Sequence, residues 1–550
     1  MAYYGIDLGT SNCLAARFAE GLEDHEFILN CLRDEDGEDC FPSIVSFQSR
    51  DQYLVGEKAQ ERLYSAPDST VELIKVRLGT TASIPIVIEG ETTEKSPQEI
   101  TALLLRHLCK SSGNRVTDPV LTVPAIFDQS QKNATMEAGQ LAQTNITQLI
   151  EEPTAAIIYQ IYDDYQKKGS DFFGVEKSKN VLVFDFGGGT LDLSLIQLTS
   201  DGEEVKPTVL AIHGDSNLGG NLIDFELTDK VLSQLASRRP DDVFIGQAHK
   251  AFEEYFGNYR TDHKLRFSDD VPTEIKNFIF RLKRELERVK ISLSSQESER
   301  IFIGRGYEEI PITRKQFVQL AFGDTDLNNR IRTALQEIIK YSNNASVDEV
   351  LLVGGSAQIP YVQELIMDNF ERVHLSREFI KTSSDYSHAV AKGAAIQAAL
   401  SAGVSVPPFR HNRCTSVVAR DIVLYCGNDG EIIAKSGTPY PFTEEKTRRF
   451  RIPHALATAV QIQIKERIDD GTGKIVEKTI SDFQYYLPLY YTDDEMLITF
   501  NIDSAGLYQV KAKHVPTNER VEFESHKAFA LSESGYKAAS TRIESMTDAT

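Results

Sequence analysis

Basic residues are in short supply. The 550-residue chain has 59 Lys plus Arg against 81 Asp plus Glu, a formal charge of −22. A surface with that balance repels phosphate backbones and anionic headgroups, so neither nucleic acid nor membrane is expected as a partner. Cysteine is scarce too. Cys13, Cys31, Cys40, Cys109, Cys414 and Cys426 show no CxxC spacing, which argues against a zinc site and a disulfide framework. No stretch reaches the roughly 18–20 apolar residues that a spanning helix needs. AAIQAALSAGVSV is too short and reads as a helix leaving the core. The opening MAYYGIDLGT lacks the basic flank and apolar stretch of a secretory signal. Together these absences predict a cytoplasmic protein in a reducing compartment. Two phosphate-binding signatures are also missing. Without GxxxxGK[ST] a P-loop fold is not expected, and no GxGxxG stands in the strand–turn–helix setting of a dinucleotide site.

What is present is ordinary globular composition, 41% apolar and 25% charged. At about 150 residues per domain the length corresponds to three or four domain-sized units, enough to bury a core without staples. YYGIDLG predicts a strand, Gly9 to Asn12 a polar turn and CLAARF a second strand. FPSIVSF predicts another strand, and residues 96–112 an amphipathic helix. VTDPVLTVPAIF then predicts a strand, QSQKNATMEAGQLAQT a helix, and ITQLIEEPTAAIIYQIY a strand followed by a helix. That order is α/β, with strands covered by helices on both faces. The polar block 161–180 predicts an exposed loop.

VLVFDFGGGTLDLSLIQL repeats the opening pattern of apolar run, Asp, glycine turn, Thr and second strand: Asp7 to Thr10, and again Asp185 to Thr190. A duplication of this kind implies two related halves facing one cleft, although two short matches can also arise by chance. The charged helical pattern over 222–300 predicts an inserted subdomain, and 40–110 a second insertion. ITRKQFVQL predicts a helix, VDEVLLVGGSAQIPYVQELIMDNF a strand, glycine turn and helix, and 386–402 a helix that closes a first unit, 1–402. The Pro-Pro pair in GVSVPPFRHNR marks 403–413 as a linker. Beyond it, TSVVARDIVLYC, AVQIQIKERI, MLITFNI and GLYQVKAKHV alternate between turn residues, which predicts a mostly antiparallel β-sandwich over 414–525. The polar stretch 526–550 predicts a loosely held tail.

The chemistry concentrates at the two repeated turns. Asp7 ends a buried strand, and Gly9, Thr10, Ser11 and Asn12 expose backbone N–H groups as a nest for an oxyanion. Asp185 with Gly187, Gly188, Gly189 and Thr190 supplies the same tools from the other half. Two facing carboxylates need a cation between them or a proton on one, and hydrated Mg²⁺ suits the first case. Taken singly, each turn reads equally well as a plain hairpin. Gly354, Gly355 and Ser356, after the strand DEVLLV, are candidates for backbone contact to a purine nucleoside or its phosphate. Gly219 and Gly220 carry a weaker signal, and each of these pairs alone reads as an ordinary turn.

In chain order, GIDLGTSN (5–12), IKVRLG (74–79), TVPAIFDQSQKNAT (122–135), EEPTAA (151–156), VFDFGGGTLDLS (183–194), GDSNLGG (214–220), ERVKISLSS (287–295) and LLVGGSAQIP (351–360) resemble the 70-kilodalton heat-shock chaperone family. That family belongs to the actin and sugar-kinase ATPase superfamily. MLITFNIDSAGLYQVKAKH (496–514) is similar to the last strands of its peptide-binding β-sandwich. The resemblance implies a two-lobed actin-like ATPase domain followed by a β-sandwich, with ATP or ADP and Mg²⁺ as cofactors. It implies that Asp7 and Asp185 flank hydrated Mg²⁺ and that Gly9, Thr10, Ser11, Asn12 and Gly187 to Thr190 bind β- and γ-phosphates. Lys75 then steers the attacking water or the γ-phosphate, and Glu152 and Asp192 orient the water and the metal shell. Glu287, Lys290 and Ser294 contact the adenosine opposite Gly354, Gly355 and Ser356, with Gly219 and Gly220 nearby. Each also has a plain reading: Lys75 as a surface lysine, Glu152 as a helix-start acid facing the dipole, Glu287 and Lys290 as a solvated helix face.

Pro124 and Lys132 fall where the family passes the nucleotide signal between domains, with Lys in place of the usual Arg, whose fork alone is bidentate. Further departures bear on coupling. The family linker is short, acidic and aliphatic, and a Pro-Pro segment with charges is not expected to pack in the same way. Gln358 replaces a usual Arg in the adenosine motif, and no long helical lid follows the β region. The implied partners are extended polypeptide clients, a J-domain-type co-chaperone and a nucleotide exchange factor. Two functions therefore stand: an ATP-hydrolysing chaperone with fast client exchange, or an ATP-dependent interaction module whose β unit docks one specific partner.

Overall fold

The computed structural model describes the chain apart from residues 22–26, 34–36, 81–82, 112–115, 170–176, 203, 263–264, 324, 371–378, 384, 410–415, 443, 452–458, 470–474, 487–494, 505 and 525–530. Two sheets carry the first unit. One runs Gln148–Glu151, Val120–Val123, Ala2–Leu8, Asn12–Glu20, Phe27–Cys31. The other runs Ile380–Thr382, Glu349–Val353, Ser178–Phe186, Leu191–Ser200, Val205–Asp215. In each, two parallel strands flank the Asp-bearing strand on one side and two antiparallel strands continue on the other. The repeat seen around Asp7 and Asp185 is thus a repeat of topology.

Helices Glu152–Lys168 and Ala389–Ser401 lie in one apolar cluster with Leu14, Phe18 and Val120 of the first sheet and Val181, Val183 and Leu351 of the second. The second helix is built from small residues because backbones meet there. A Cβ on Gly393 would lie 1.7 Å from the Ala155 carbonyl oxygen, and one on Gly5 2.3 Å from the Ala395 nitrogen. The loop expected from 161 does not begin there. The helix continues to Lys168, because Ile161 and Tyr162 extend its buried face and Asp163–Lys167 forms an i,i+4 pair on its wet side. Residues 170–176 of that block lie outside the described residues.

The first insertion holds strands Val45–Phe47, Gln52–Val55 and Thr70–Val71 and helix Pro97–Ser111. The second is helical: Gly220–Arg238, Val243–Asp262 and Thr273–Ser295, packed around aromatic rings such as Phe225 and Tyr259, whose centroids are 4.8 Å apart. Two four-stranded antiparallel sheets form the β unit, closing over Ile422, Leu424, Ile462, Ile498 and Phe500. Among the described residues no helix is long and apolar enough to cross a membrane. The five described cysteines are unpaired thiols; Cys414 lies outside the described residues.

Both connections to the β unit pack against the first unit. The linker does pack against the first unit: Val406 and Phe409 are fully buried, and the Val205 N–H donates to the Pro408 carbonyl at 3.0 Å. Its apolar residues are separated by the prolines, so no aliphatic run shows in the sequence. The charged half, 410–413, lies outside the described residues. Nor is the C-terminus a loose tail. Helix Glu533–Ser545 lies on the first insertion, burying Ala539, Ile543 and Met546, and Thr547–Asp548 adds a strand parallel to Gln52–Val55. The Thr547 and Ala549 N–H groups donate to Asp51 and Tyr53 carbonyls at 2.8 and 2.9 Å. The i, i+4, i+7 spacing of those three apolar residues is the sequence signal for this face.

Candidate functional site

The two repeated turns face each other and interlock. The bend at Gly188 and Gly189 lies directly against the other turn. A Cβ on Gly188 would sit 2.0 Å from Ser11 Oγ, and one on Gly189 2.4 Å from Thr10 Oγ1. Behind them stands the N-terminus of helix Gly220–Arg238. Gly220 and Asn221 N–H groups donate to Gly187 and Gly188 carbonyls at 3.0 and 2.8 Å, and Gly219 approaches so closely that a Cβ would lie 2.4 Å from the Gly188 oxygen. Ser356 Oγ donates to the Gly187 carbonyl at 2.8 Å, and Gly354 takes φ +81° where a Cβ would meet Phe186 and Asp185. Gly187 and Gly355, by contrast, would point a Cβ into open space. Backbone is therefore presented to the cleft without side chains in front of it.

Around these turns the strands deliver acids. Asp7 accepts from Thr122 Oγ1 at 3.0 Å, and Asp185 lies directly across from Asp192 in the antiparallel pair. Asp192 Oδ1 accepts from the Ile126 N–H at 3.2 Å. Lys75, from the first insertion, is buried and ion-paired with Glu152 at the start of its helix. Three buried carboxylates (Glu152, Asp185, Asp192) and the half-buried Asp7 thus surround one lysine. Burial, then the Glu152 charge, pushes Asp7 and Asp192 up to about 7 and Asp185 well above its usual value. Burial pulls Lys75 down, but Glu152 and Asp7 outweigh it and hold the lysine above its ordinary value. Asp192 Oδ2 is buried with no hydrogen-bond partner. An acid cluster this short of positive charge, with an orphaned oxygen, fits a hydrated divalent cation.

The adenosine-side residues divide. Lys290 is buried, donating to the Gly220 carbonyl at 3.1 Å and to Asp224 Oδ2 at 2.7 Å, which ties it to the turn apparatus. Burial raises Asp224 to about 6 although Lys290 opposes the shift. Glu287 pairs instead with Arg284 at 2.8 Å, one turn away on its own helix, and Ser294 Oγ donates to the Lys290 carbonyl at 3.3 Å. Neither touches the turns. Gly9 closes its own turn, with Asn12 exposed beside it. Sequence reasoning passed over Thr122, Asn221 and Asp224. Asn221 bridges Ser11 Oγ and the Gly188 carbonyl at 3.3 and 2.7 Å, and its only signal is its place just after Gly219-Gly220. Asp224 is marked as the lone acid on the apolar face LIDF.

Comparison with known proteins decides the family. The family model described as Hsp70 protein matches residues 3–253 and 250–549. The chain belongs to the Hsp70 family. Over 539 residues it is 29% identical to a chaperone protein DnaK of Metamycoplasma hominis, spanning 94% of this chain and 78% of that protein. Membership carries ATP-binding chaperone function at the level of the family, on an actin-like ATPase domain. In this Hsp70-family chain the β unit contacts the ATPase unit at the segment after Pro124. Lys132 lies 3.6 Å from Glu151 and 3.3 Å from the Tyr440 hydroxyl, which in turn donates to Glu151. Lys478 of the β unit pairs with Asp128 nearby.

Proposed function

We propose that this chain is a slow Mg²⁺-dependent ATPase that binds extended polypeptide segments. The interlocked turns flanked by Asp7 and Asp185 carry the reading. In it, Asp7 and Asp185 hold hydrated Mg²⁺, and Thr10, Ser11 and Gly187 to Thr190 offer N–H and hydroxyl donors to the phosphates. Mg²⁺ supplies charge neutralisation on the phosphoryl oxygens. Lys75, kept charged by Glu152, stabilises negative charge as it develops, while Glu152 and Asp192 orient water. Lys290 and Ser356 brace the nucleoside side, Glu287 and Ser294 line its outer edge, and Gly354 and Gly355 clear space opposite. Clients pair with strand edges of the β unit in an extended pose. Exchange is fast, because helix Glu533–Ser545 lies on the first insertion and not over the β unit. A J-domain-type co-chaperone and a nucleotide exchange factor complete the cycle.

A second reading has one observation in its favour. The β unit is fastened at both ends, by Val406 and Phe409 before it and Ile543 and Met546 after it. That suits a module that presents one shape to one partner. Single-turnover ATP hydrolysis by the full chain, with and without a panel of extended apolar peptides, separates the two. Peptide stimulation supports the chaperone reading. Peptide binding indifferent to nucleotide removes coupling, and no peptide binding leaves the partner-docking reading.

A further inference from the structure

On the side of Lys75 the cleft does not end at the turns. A cavity of about 220 Å³ continues from them toward the β unit. Thr10, Lys75 and Thr190 form its inner side, Arg420 and Lys478 its outer side, and Asp128 lies between. Arg420 immediately precedes strand Asp421–Cys426 and Lys478 lies in strand Ile475–Tyr486, so one sheet of the β unit delivers both cations. Hydroxyls on one wall and cations on two walls make a chamber suited to a small multivalent oxyanion.

The two outer cations have donors to offer in different ways. Lys478 pairs with Asp128, but Asp128 also caps helix Gln129–Leu141, accepting from the Gln131 N–H at 3.0 Å and from the Ser130 hydroxyl. Arg420 donates to Glu466 at 3.0 Å through one nitrogen, and Glu466 also accepts from the Tyr508 hydroxyl at 2.9 Å. If Lys478 turned to an anion, Asp128 would keep its two cap donors, whereas Arg420 can stay on the buried Glu466 and offer its remaining N–H groups. A guanidinium also has donors to spare. The Lys478 side chain is 45% exposed, which leaves it room to swing.

We propose that this cavity is an anion site that takes the orthophosphate released by ATP cleavage, with Arg420 and Lys478 as a gate held by the β unit. The proposal rests on the ATPase reading above. A diphosphate still seated between the turns fills the near side, so phosphate leaves along the seam between the units. The docking of the β unit then sets how long phosphate stays, which couples product release to whatever displaces that unit.

Equilibrium dialysis of radiolabelled orthophosphate against the full chain, with and without ADP and Mg²⁺, reads the site directly. The Arg420→Gln, Lys478→Gln double variant is expected to bind phosphate at least ~10-fold more weakly, about 1.4 kcal/mol or more. Lys478→Gln alone, at a half-exposed position that tolerates the change, is expected to weaken binding in the same direction, and Lys478→Arg to retain it. In single-turnover ATP cleavage, release followed with a fluorescent phosphate-binding protein is expected to lag cleavage, and the double variant to shorten that lag. Undiminished phosphate binding by the double variant overturns the proposal. Orthophosphate binding without any ATP cleavage keeps the anion site and removes the ATPase reading. Cleavage by a chain that binds no orthophosphate removes the site and leaves the ATPase reading.

Discussion

Lys75 is a buried cation held by Glu152 and stacked 5.9 Å over the Phe127 ring, so its position is fixed before any ligand arrives. Preorganised charge of this kind acts on the transition state more than on the ground state. Lys75→Ala is therefore expected to cut single-turnover hydrolysis by at least ~100-fold, about 2.7 kcal/mol of transition-state stabilisation. Nucleotide affinity by calorimetry should change far less, and equal losses in both would show a binding or structural role. Gly219 offers a second test at this scale. Any Cβ there meets the Gly188 carbonyl at 2.4 Å, backbone against backbone, so the turn itself must shift. Gly219→Ala should weaken ATP binding by roughly tenfold or more while far-UV circular dichroism stays unchanged. Unaltered affinity would place the turn away from the phosphates.

Among elements, the C-terminal segment departs furthest from what composition suggests. Ile543 is 2% exposed beneath it, and Arg542 Nε donates to Glu99 at 2.8 Å. Ile543→Ala is expected to cost about 2–4 kcal/mol of docking, read as faster amide exchange in residues 533–549 and in the strand Gln52–Val55 beneath them. Unchanged exchange would show the helix to be passively placed. The same segment predicts an acid limit. Burial pushes the Asp548 carboxyl up, but hydrogen bonds from His107 and Thr550 outweigh that and hold it below its usual value. A carboxyl lowered on folding stabilises the fold above its unfolded value and loses that contribution as pH falls through the folded one. Exchange protection of the segment should thus fall only at pH below about 4, the ordinary carboxylate value, and Asp548→Asn should remove that dependence.

This element also shows what the sequence made legible. Strands such as Ser178–Phe186 and the two glycine turns follow from local apolar runs and turn residues, and Asp7 and Asp185 stand at their ends where the pattern puts them. Helix Glu533–Ser545 has a buried face only because Tyr53 and Leu105 of the first insertion supply the other half of its core, a pairing across most of the chain. Val406 and Phe409 are similar, being apolar residues whose partners, Val205 and Val209, come from far upstream. The Lys290–Asp224 pair escaped because its two helices meet only in the folded molecule. Local chemistry reads out from sequence; pairings over long separations do not.

For the whole molecule, two sheets that share a five-strand order hold their acids and turns toward each other, and helices Glu152–Lys168 and Ala389–Ser401 bind the halves at backbone contact. Four carboxylates around Lys75 can be ionised together only beside a further cation, and protons otherwise take its place. ATP and Mg²⁺ should therefore enter as strongly coupled ligands. The β unit is joined to the ATPase unit by the buried Phe409 of the linker and by the Asp128–Lys478 bridge. Calorimetric titration of the full chain with ATP, in Mg²⁺ and again in a chelator, tests this most directly. The account predicts one ATP per chain, bound at least ~30-fold more tightly with Mg²⁺, about 2 kcal/mol of coupling. Equal affinity in both conditions, or no saturable uptake by folded protein, would contradict it.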